Sequence, residues 1–180
     1  ILMMSKSEKR KNIATIMVGF AVLMFGMDTM SGAVKPLANV PEFTNILLKF
    51  SNPVLGMIVG IIVTAIIQSS SASIGILQAL CMSGAVSNAT AIPIIMGMNV
   101  GTCVTALISC TGTSKNAKRA AFVHLHYNII KTVAFMVIFY TLNIFMKFAF
   151  MDEPATALGV AIIHTAFNVV AVIIMTPMSI

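Results

Sequence analysis

The sequence predicts an all-α membrane protein, a helical bundle that contains a re-entrant helical hairpin and a broken transmembrane helix. Of its 180 residues, 58% are hydrophobic and only 9% are charged, and the mean hydropathy is +1.00. A soluble domain carries roughly 25% charged residues, so this chain is too apolar for one. Residues 53–86 contain no charge, yet they hold the polar run Gln68-Ser69-Ser70-Ser71. That run predicts the tip of a hairpin.

The first apolar segment, residues 13–32, is long enough to cross a hydrocarbon core of about 30 Å. Basic residues form two clusters, 6–11 and 115–119, which is typical of cytoplasmic loops and explains the net charge of +6 without a nucleic-acid partner. Asp28 lies near the end of the first span. An acid there is most often interfacial, and the alternative is a carboxylate beside a transport path. A short interfacial helix is expected around residues 43–50.

Residues 53–86 are predicted to enter the membrane and return on the same side. Each arm beside the polar run has about 15 residues and reaches roughly 22 Å, less than the core thickness. Unsatisfied polar side chains in hydrocarbon cost roughly 1 to 3 kcal/mol each, so the run is expected to line a site. The alternative is a two-span hairpin whose hydroxyls bond their own helix carbonyls. A returning hairpin places both basic clusters in the cytoplasm, with the tip approached from outside.

Residues 88–110 have the length of one span but contain Gly97, Asn99 and Gly101 close together. Two glycines around an asparagine favour a break, which would give two half-helices that meet at mid-membrane and present their ends to charged cargo. In the alternative, the glycines permit close helix packing and Asn99 bonds a neighbouring helix.

Two further spans are predicted, residues 120–146 and 155–178. Each begins with a His-x-x-aromatic-Asn pattern, in which the i, i+4 spacing places the histidine and the asparagine on one helix face. Both faces are expected to meet a common polar interior, either through interhelical hydrogen bonds or through ligand contacts. The residues concerned are His124, Asn128, His164 and Asn168.

Other polar residues of the spans receive no role in the site. His126 and Lys131 are assigned to a polar edge or a snorkelling helix end. The three cysteines lie in apolar segments without the spacing of a metal site or a disulfide framework. No cofactor and no cysteine metal site is therefore predicted.

The polar residues around the tip and the break predict a site for a cation and an anion together. Neutral oxygens with almost no carboxylates suit a hard monovalent cation such as sodium. Helix N-termini bind oxyanions such as phosphate through unpaired N–H groups and the positive end of the helix dipole. Cation-coupled anion symport is the expected function. The candidate oxygen donors are Gln68, Ser69, Ser70, Ser71, Thr64, Asn99, Thr102 and Thr105.

The stretch TAIIQSSSASIGILQAL, followed by IPIIMGMNVGTCVTALIS, resembles the type II sodium-dependent phosphate cotransporter family, and its bacterial branch most closely. FAVLMFGMDTMSGAVKPL and the two His-x-x-aromatic-Asn helices extend the similarity over nearly the whole chain. The resemblance implies two inverted repeats in the plasma (inner) membrane, each with a Gln-Ser-Ser-Ser hairpin and a broken helix. Sodium and phosphate would bind between the two hairpins.

By this resemblance, sodium and phosphate contact the hairpin tip and the Asn-x-Gly-Thr segment. Met98 stands where relatives often have a small or polar residue. The implied binding residues are Gln68, Ser69, Ser70, Ser71, Asn99, Gly101 and Thr102. A surrounding set comprises Thr64, Thr105, His124, Asn128, His164 and Asn168.

Only one Gln-Ser-Ser-Ser run is present, so the chain resembles a single repeat, the second, of a truncated polypeptide. Its partner would be another repeat in the same polypeptide or in a homodimer. One alternative function is a non-transporting membrane subunit that binds a partner repeat. Another is an intramembrane hydrolase that uses a serine among residues 69–73 with His124 or His164. The sequence disfavours an enzyme, because it has no Gly-x-Ser nucleophile setting and no acid to orient either histidine.

Overall fold

The computed structural model describes residues 7–34, 36, 40, 42 and 49–176, and these are largely helical, with a single isolated bridge in place of sheet. The predicted all-α fold is confirmed. Residues 43–48, most of the expected interfacial helix, lie outside the described residues. The helices are α1 (Glu8–Val34), α2 (Pro53–Ile67), α3 (Ser70–Met82), α4 (Asn88–Gly101), α5 (Cys103–Ser109), α6 (Lys115–Met146) and α7 (Ala157–Met175), with a 3-10 helix at Ala149–Asp152.

Among the described residues, four helical segments are long and apolar enough to cross a membrane. They correspond to α1, to α4 with α5, to α6 and to α7. The helices α2 and α3 have 15 and 13 residues, which corresponds to lengths of about 22 and 20 Å. Neither reaches across a core of about 30 Å. The four segments are Glu8–Met30, Asn88–Ser109, Lys115–Met146 and Ala157–Ile174.

The turn between α2 and α3 consists of Gln68 and Ser69. Gln68 has φ 57° and ψ 20°, the left-handed conformation that ends many helices, and its N–H donates to the Thr64 carbonyl oxygen at 2.8 Å. Ser69 is the N-cap of α3, because its Oγ accepts a hydrogen bond from the Ala72 N–H at 3.3 Å. The C-cap of α2 is thus followed directly by the N-cap of α3, and both helices have their other ends near the start of α4. The predicted polar run therefore forms the tip of a helical hairpin.

Both open ends of this hairpin lie where α4 begins. The start of α2 contacts the first turns of α4, since a Cβ on Gly56 would lie 2.8 Å from Cγ of Pro93. The end of α3 leads through a short turn into α4. There the carbonyl oxygen of Val86 accepts a hydrogen bond from the Ala155 N–H at 2.8 Å, just before α7. The chain thus enters and leaves the hairpin at one end of the bundle.

The two arms of the hairpin pack on different partners. The arm α2 lies along α4, and α3 packs mainly on α1 and α7. Nε2 of Gln78 in α3 donates a hydrogen bond to the carbonyl oxygen of Ala157, the first residue of α7, at 3.0 Å. Each arm therefore packs mainly on a different one of the long apolar helices.

The helices α2 and α4 run parallel and touch backbone to backbone. A Cβ on Gly60 would overlap the carbonyl oxygen of Ile94, and a Cβ on Gly97 would overlap that of Met57. A Cβ on Gly101 would lie 2.6 Å from the carbonyl oxygen of Ile61. Small residues four positions apart allow membrane helices to approach this closely. Gly97 and Gly101 are thus packing residues, which was the alternative to a break.

The interruption between α4 and α5 is a single residue, Thr102. Its dihedral angles, φ −59° and ψ −28°, are helical, and its N–H still donates to the carbonyl oxygen of Met98 at 3.1 Å. The expected pair of half-helices with open ends at residues 97–102 is therefore not what forms. The close contact with α2 holds Gly97 and Gly101 in helical conformation. The helices α4 and α5 therefore form one nearly continuous segment, residues 88–109.

Candidate functional site

A cavity of about 310 Å³ lies between α4, α6 and α7, next to the first residue of α3. It is far larger than the roughly 10 to 15 Å³ that one water molecule requires. Most of its lining residues were expected at the site from the sequence. These are Ser70, Asn99, Thr102, His124, Asn128, His164 and Asn168.

The structure thus brings together residues from all three predicted sources. Ser70 comes from the hairpin tip, Asn99 and Thr102 come from the Asn-x-Gly-Thr segment, and the remainder come from the two His-x-x-aromatic-Asn helices. Hydroxyl and carboxamide groups dominate the polar part of the lining. Such groups coordinate monovalent cations and hydrogen-bond to oxyanions.

The other tip residues do not line the cavity. Gln68 and Ser71 are exposed beside it, and the Ser69 side chain is engaged as the α3 cap. Of the four tip residues, only Ser70 lines the cavity, and Gln68 and Ser71 are exposed.

Three further candidates lie behind the cavity wall. Gly101 faces α2, and Oγ1 of Thr105 donates to the carbonyl oxygen of Thr102 at 2.8 Å. Thr64 is fully buried between α2 and the end of α4, and within the described part of the chain its Oγ1 has no hydrogen-bond partner. The cavity does not include these three residues.

Lys131 lines the cavity, contrary to the expectation from its position in an apolar segment. Its side chain is only 8% exposed, and its Nζ donates to Oδ1 of Asn168 at 2.9 Å and to Oδ1 of Asn99 at 3.3 Å. The interpretation as a polar edge or a snorkelling end is wrong, because the ammonium group points inward between α4 and α7. The available signal was spacing: Lys131 is seven residues after His124 and three after Asn128, on the same helix face.

The two asparagines are oriented toward Lys131 by their own helices. Nδ2 of Asn99 donates to the carbonyl oxygen of Ile95 at 3.0 Å, and Nδ2 of Asn168 donates to that of His164 at 2.8 Å. Because each carboxamide is anchored through its nitrogen, its oxygen is turned to the ammonium group. In both copies of the His-x-x-aromatic-Asn pattern, the asparagine donates to the backbone carbonyl oxygen of its histidine.

Aromatic rings of the same repeated pattern cover the ammonium group. Nζ of Lys131 lies 5.4 Å from the ring centroid of Tyr127 and 5.1 Å from that of Phe167. Both distances are within the range of cation–π attraction. The two copies of the pattern thus supply two ring faces, and the second copy also supplies one of the two oxygens.

No carboxylate accompanies this cation. All five acidic residues of the chain fall in the described part, and none lines the cavity. Among the described residues, the only ion pair joins Lys11 to Glu8 at 3.6 Å, at the exposed start of α1. The cavity therefore combines neutral oxygens with one positive charge that no acidic side chain balances.

Comparison with known proteins gives a family match over most of the chain. The profile of the family described as Na+/Pi-cotransporter matches residues 23–176. This range includes the hairpin, α4 with α5, α6 and all of α7. No solved structure is significantly similar to the chain.

Relatives occur in bacteria and mammals. The Bacillus subtilis (strain 168) protein YqeW is 28% identical over 94% of this chain. Sodium-dependent phosphate transport protein 2A of Rattus norvegicus is 41% identical over 52% of the chain, and protein 2B of Homo sapiens is 37% identical over 48%. The chain spans 54% of YqeW, 15% of the rat protein and 13% of the human protein.

Proposed function

Because the chain belongs to the Na+/Pi-cotransporter family, we propose that it takes part in sodium-coupled phosphate symport and forms one repeat of the transport site. The family is one of transporters and not of enzymes, and the chain has helices long and apolar enough to cross a membrane. The observation that carries the proposal is the cavity in which Ser70, Asn99 and Thr102 meet the two His-x-x-aromatic-Asn helices.

Within this cavity, sodium and phosphate would use different groups. The hydroxyls of Ser70 and Thr102 and the carboxamide of Asn128 offer neutral oxygens for sodium. The N-terminus of α3 offers N–H groups and the positive end of a 13-residue helix for phosphate. Lys131 adds a positive charge to the part of the lining that comes from α6. A hydrated anion and a cation both have room in about 310 Å³.

The hairpin formed by α2 and α3 would be re-entrant in the plasma (inner) membrane. Its arms are too short to span, and both open ends lie where α4 begins, as described above. A hairpin with this geometry dips into the bilayer and returns. The uncharged surface of both arms suits hydrocarbon, and the tip would lie near mid-membrane, where the cavity is.

A second repeat would complete the site. Gln68 and Ser71 are exposed at the tip, beside but not in the cavity. Polar side chains at mid-membrane need partners, and a facing hairpin of an inverted repeat would provide them. That hairpin would belong to the same polypeptide or to a second copy in a homodimer.

Phosphate uptake into proteoliposomes tests the proposal. The chain is reconstituted alone and together with a chain that carries another Gln-Ser-Ser-Ser repeat, and uptake of labelled phosphate is compared under inward sodium and potassium gradients. Sodium-dependent uptake by the chain alone indicates a homodimer, and uptake only after co-reconstitution indicates a shared site. Equal uptake in sodium and potassium in both preparations would leave the alternative, a non-transporting membrane subunit.

A further inference from the structure

We propose that the ammonium group of Lys131 is a tethered cation that occupies a monovalent-cation site. No sodium ion then has to bind at that position during transport. The inference rests on the proposed function for its consequence in transport. The site itself is defined by the two carboxamide oxygens and two aromatic faces around Nζ.

The surroundings of Nζ have the chemistry of a cation site. Both oxygens belong to neutral amides, and each amide nitrogen is already used by a backbone carbonyl four residues earlier. Rotating either carboxamide to present its nitrogen would break that bond, so the two oxygens are fixed before the cation arrives. Preoriented neutral oxygens are the ligands that a hard monovalent cation takes.

The oxygens also come from separate helices. Asn99 lies in α4, Asn168 lies in α7, and Lys131 reaches between them from α6. Because the ammonium group is covalently attached, it cannot be lost during the transport cycle as a free ion can. The chain thereby carries the cation on one of its own side chains, where neutral oxygens alone would have to recruit one.

The charge balance of the cavity points the same way. A buried cation without a carboxylate is costly in a membrane, and no acidic side chain of the described chain lines the cavity. In the proposed function the balancing charge is the phosphate itself. The fixed ammonium then replaces one of the sodium ions that would otherwise neutralise the anion.

Counting bound sodium tests the proposal directly. Labelled sodium binding is measured without phosphate for the wild type, for Lys131→Ala and for Lys118→Ala, an exposed lysine at the start of the same helix. Lys131→Ala vacates the place of the ammonium group and leaves both oxygens. We expect it to bind one more sodium ion per chain than the wild type, and Lys118→Ala to bind the same number as the wild type.

Phosphate binding supplies the second readout. In Lys131→Ala, phosphate binding at low sodium should fall by about tenfold or more and recover at high sodium, with a steeper sodium dependence than in the wild type. Ethylammonium, which fits the vacated space, should restore binding at low sodium to Lys131→Ala alone. A sodium count and a sodium dependence equal to those of the wild type, without rescue, would overturn the proposal.

Two further variants of Lys131 test the proposal if Lys131→Ala does not fold. Lys131→Arg keeps the charge and should keep phosphate binding at low sodium. Lys131→Met fills the same space without charge, so it should bind phosphate weakly even at saturating sodium. Wild-type phosphate binding by folded Lys131→Met would overturn the proposal.

Failure of the proposed function can be distinguished from failure of this inference. If the wild type bound no phosphate at any sodium concentration, the proposed function would fail. The number of sodium ions bound without phosphate would still decide whether Lys131 occupies a cation site.

Discussion

Nζ of Lys131 lies 2.9 Å from Oδ1 of Asn168 and joins α6 to α7 at the wall of the cavity. We expect Asn168→Ala to lower the free energy of unfolding by about 1 to 3 kcal/mol, because a buried donor then loses an acceptor. Thermal unfolding in detergent measures this change. Ile173→Ala, on an exposed part of α7, serves as the control and should change the stability much less.

A double-mutant cycle isolates this contact. If Lys131 and Asn168 act on each other directly, Lys131→Met combined with Asn168→Ala should destabilise less than the sum of the single changes. Strict additivity would contradict a direct interaction between the two side chains.

Two neighbouring serines at the hairpin tip, Ser69 and Ser70, are expected to have different roles. Ser69→Ala removes the α3 cap and should cost about 1 kcal/mol of stability. Ser70→Ala removes the hydroxyl that faces the cavity and should weaken sodium and phosphate binding with little loss of stability. Lys147→Ala, at the exposed end of α6, is the control for binding. Indistinguishable binding by Ser70→Ala and Lys147→Ala would sink the assignment of Ser70.

The backbone contact between α2 and α4 should tolerate no added methyl group. Gly97→Ala places a Cβ against the carbonyl oxygen of Met57, and we expect a loss of about 1 to 3 kcal/mol or more from overpacking. Gly19→Ala in α1 meets nothing within 4 Å. It should be neutral or stabilising by up to about 1 kcal/mol, since alanine is the better helix former. Equal melting temperatures for the two variants would argue against this packing.

Gln68 combines a left-handed backbone with a proposed binding side chain, and Gln68→Gly separates the two. Glycine adopts φ 57° without the steric cost of about 1 to 2 kcal/mol that an L side chain meets there. The free energy of unfolding of Gln68→Gly should therefore be unchanged or higher than that of the wild type. Phosphate binding should fall if the Gln68 carboxamide contacts phosphate. A variant that is both stable and unchanged in binding would remove Gln68 from the site.

Composition and segment length were sufficient to predict the long apolar helices and the two short helices of residues 53–86, because helix length and apolar composition depend little on tertiary contacts. The outcome at residues 97–102 depended on tertiary contacts. Glycine at Gly97 allows either a break or a close contact, and the deciding partner, Met57 in α2, lies forty residues away. A sequence pattern alone cannot tell which of the two a glycine will serve.

Lys131 illustrates a different limit. Its charge in an apolar segment suggested a side chain that escapes to the interface, and hydropathy gives no information on rotation about the helix axis. The i, i+4, i+7 relation to His124 and Asn128 contained that information. What the sequence could not give was the pair of acceptors, because Asn99 and Asn168 approach from two other helices.

The separate attachment of the hairpin arms has a mechanical consequence. The arm α2 is held on α4 through glycine contacts, and α3 is held on α7 through the hydrogen bond from Gln78 to Ala157. A movement of α4 relative to α7 would have to be accommodated at both ends of α3, in Gln68 and Ser69 and in the short turn before α4. A change in the backbone at Gln68 and Ser69 would alter the angle between α2 and α3. It would also shift Ser70 relative to the rest of the cavity lining.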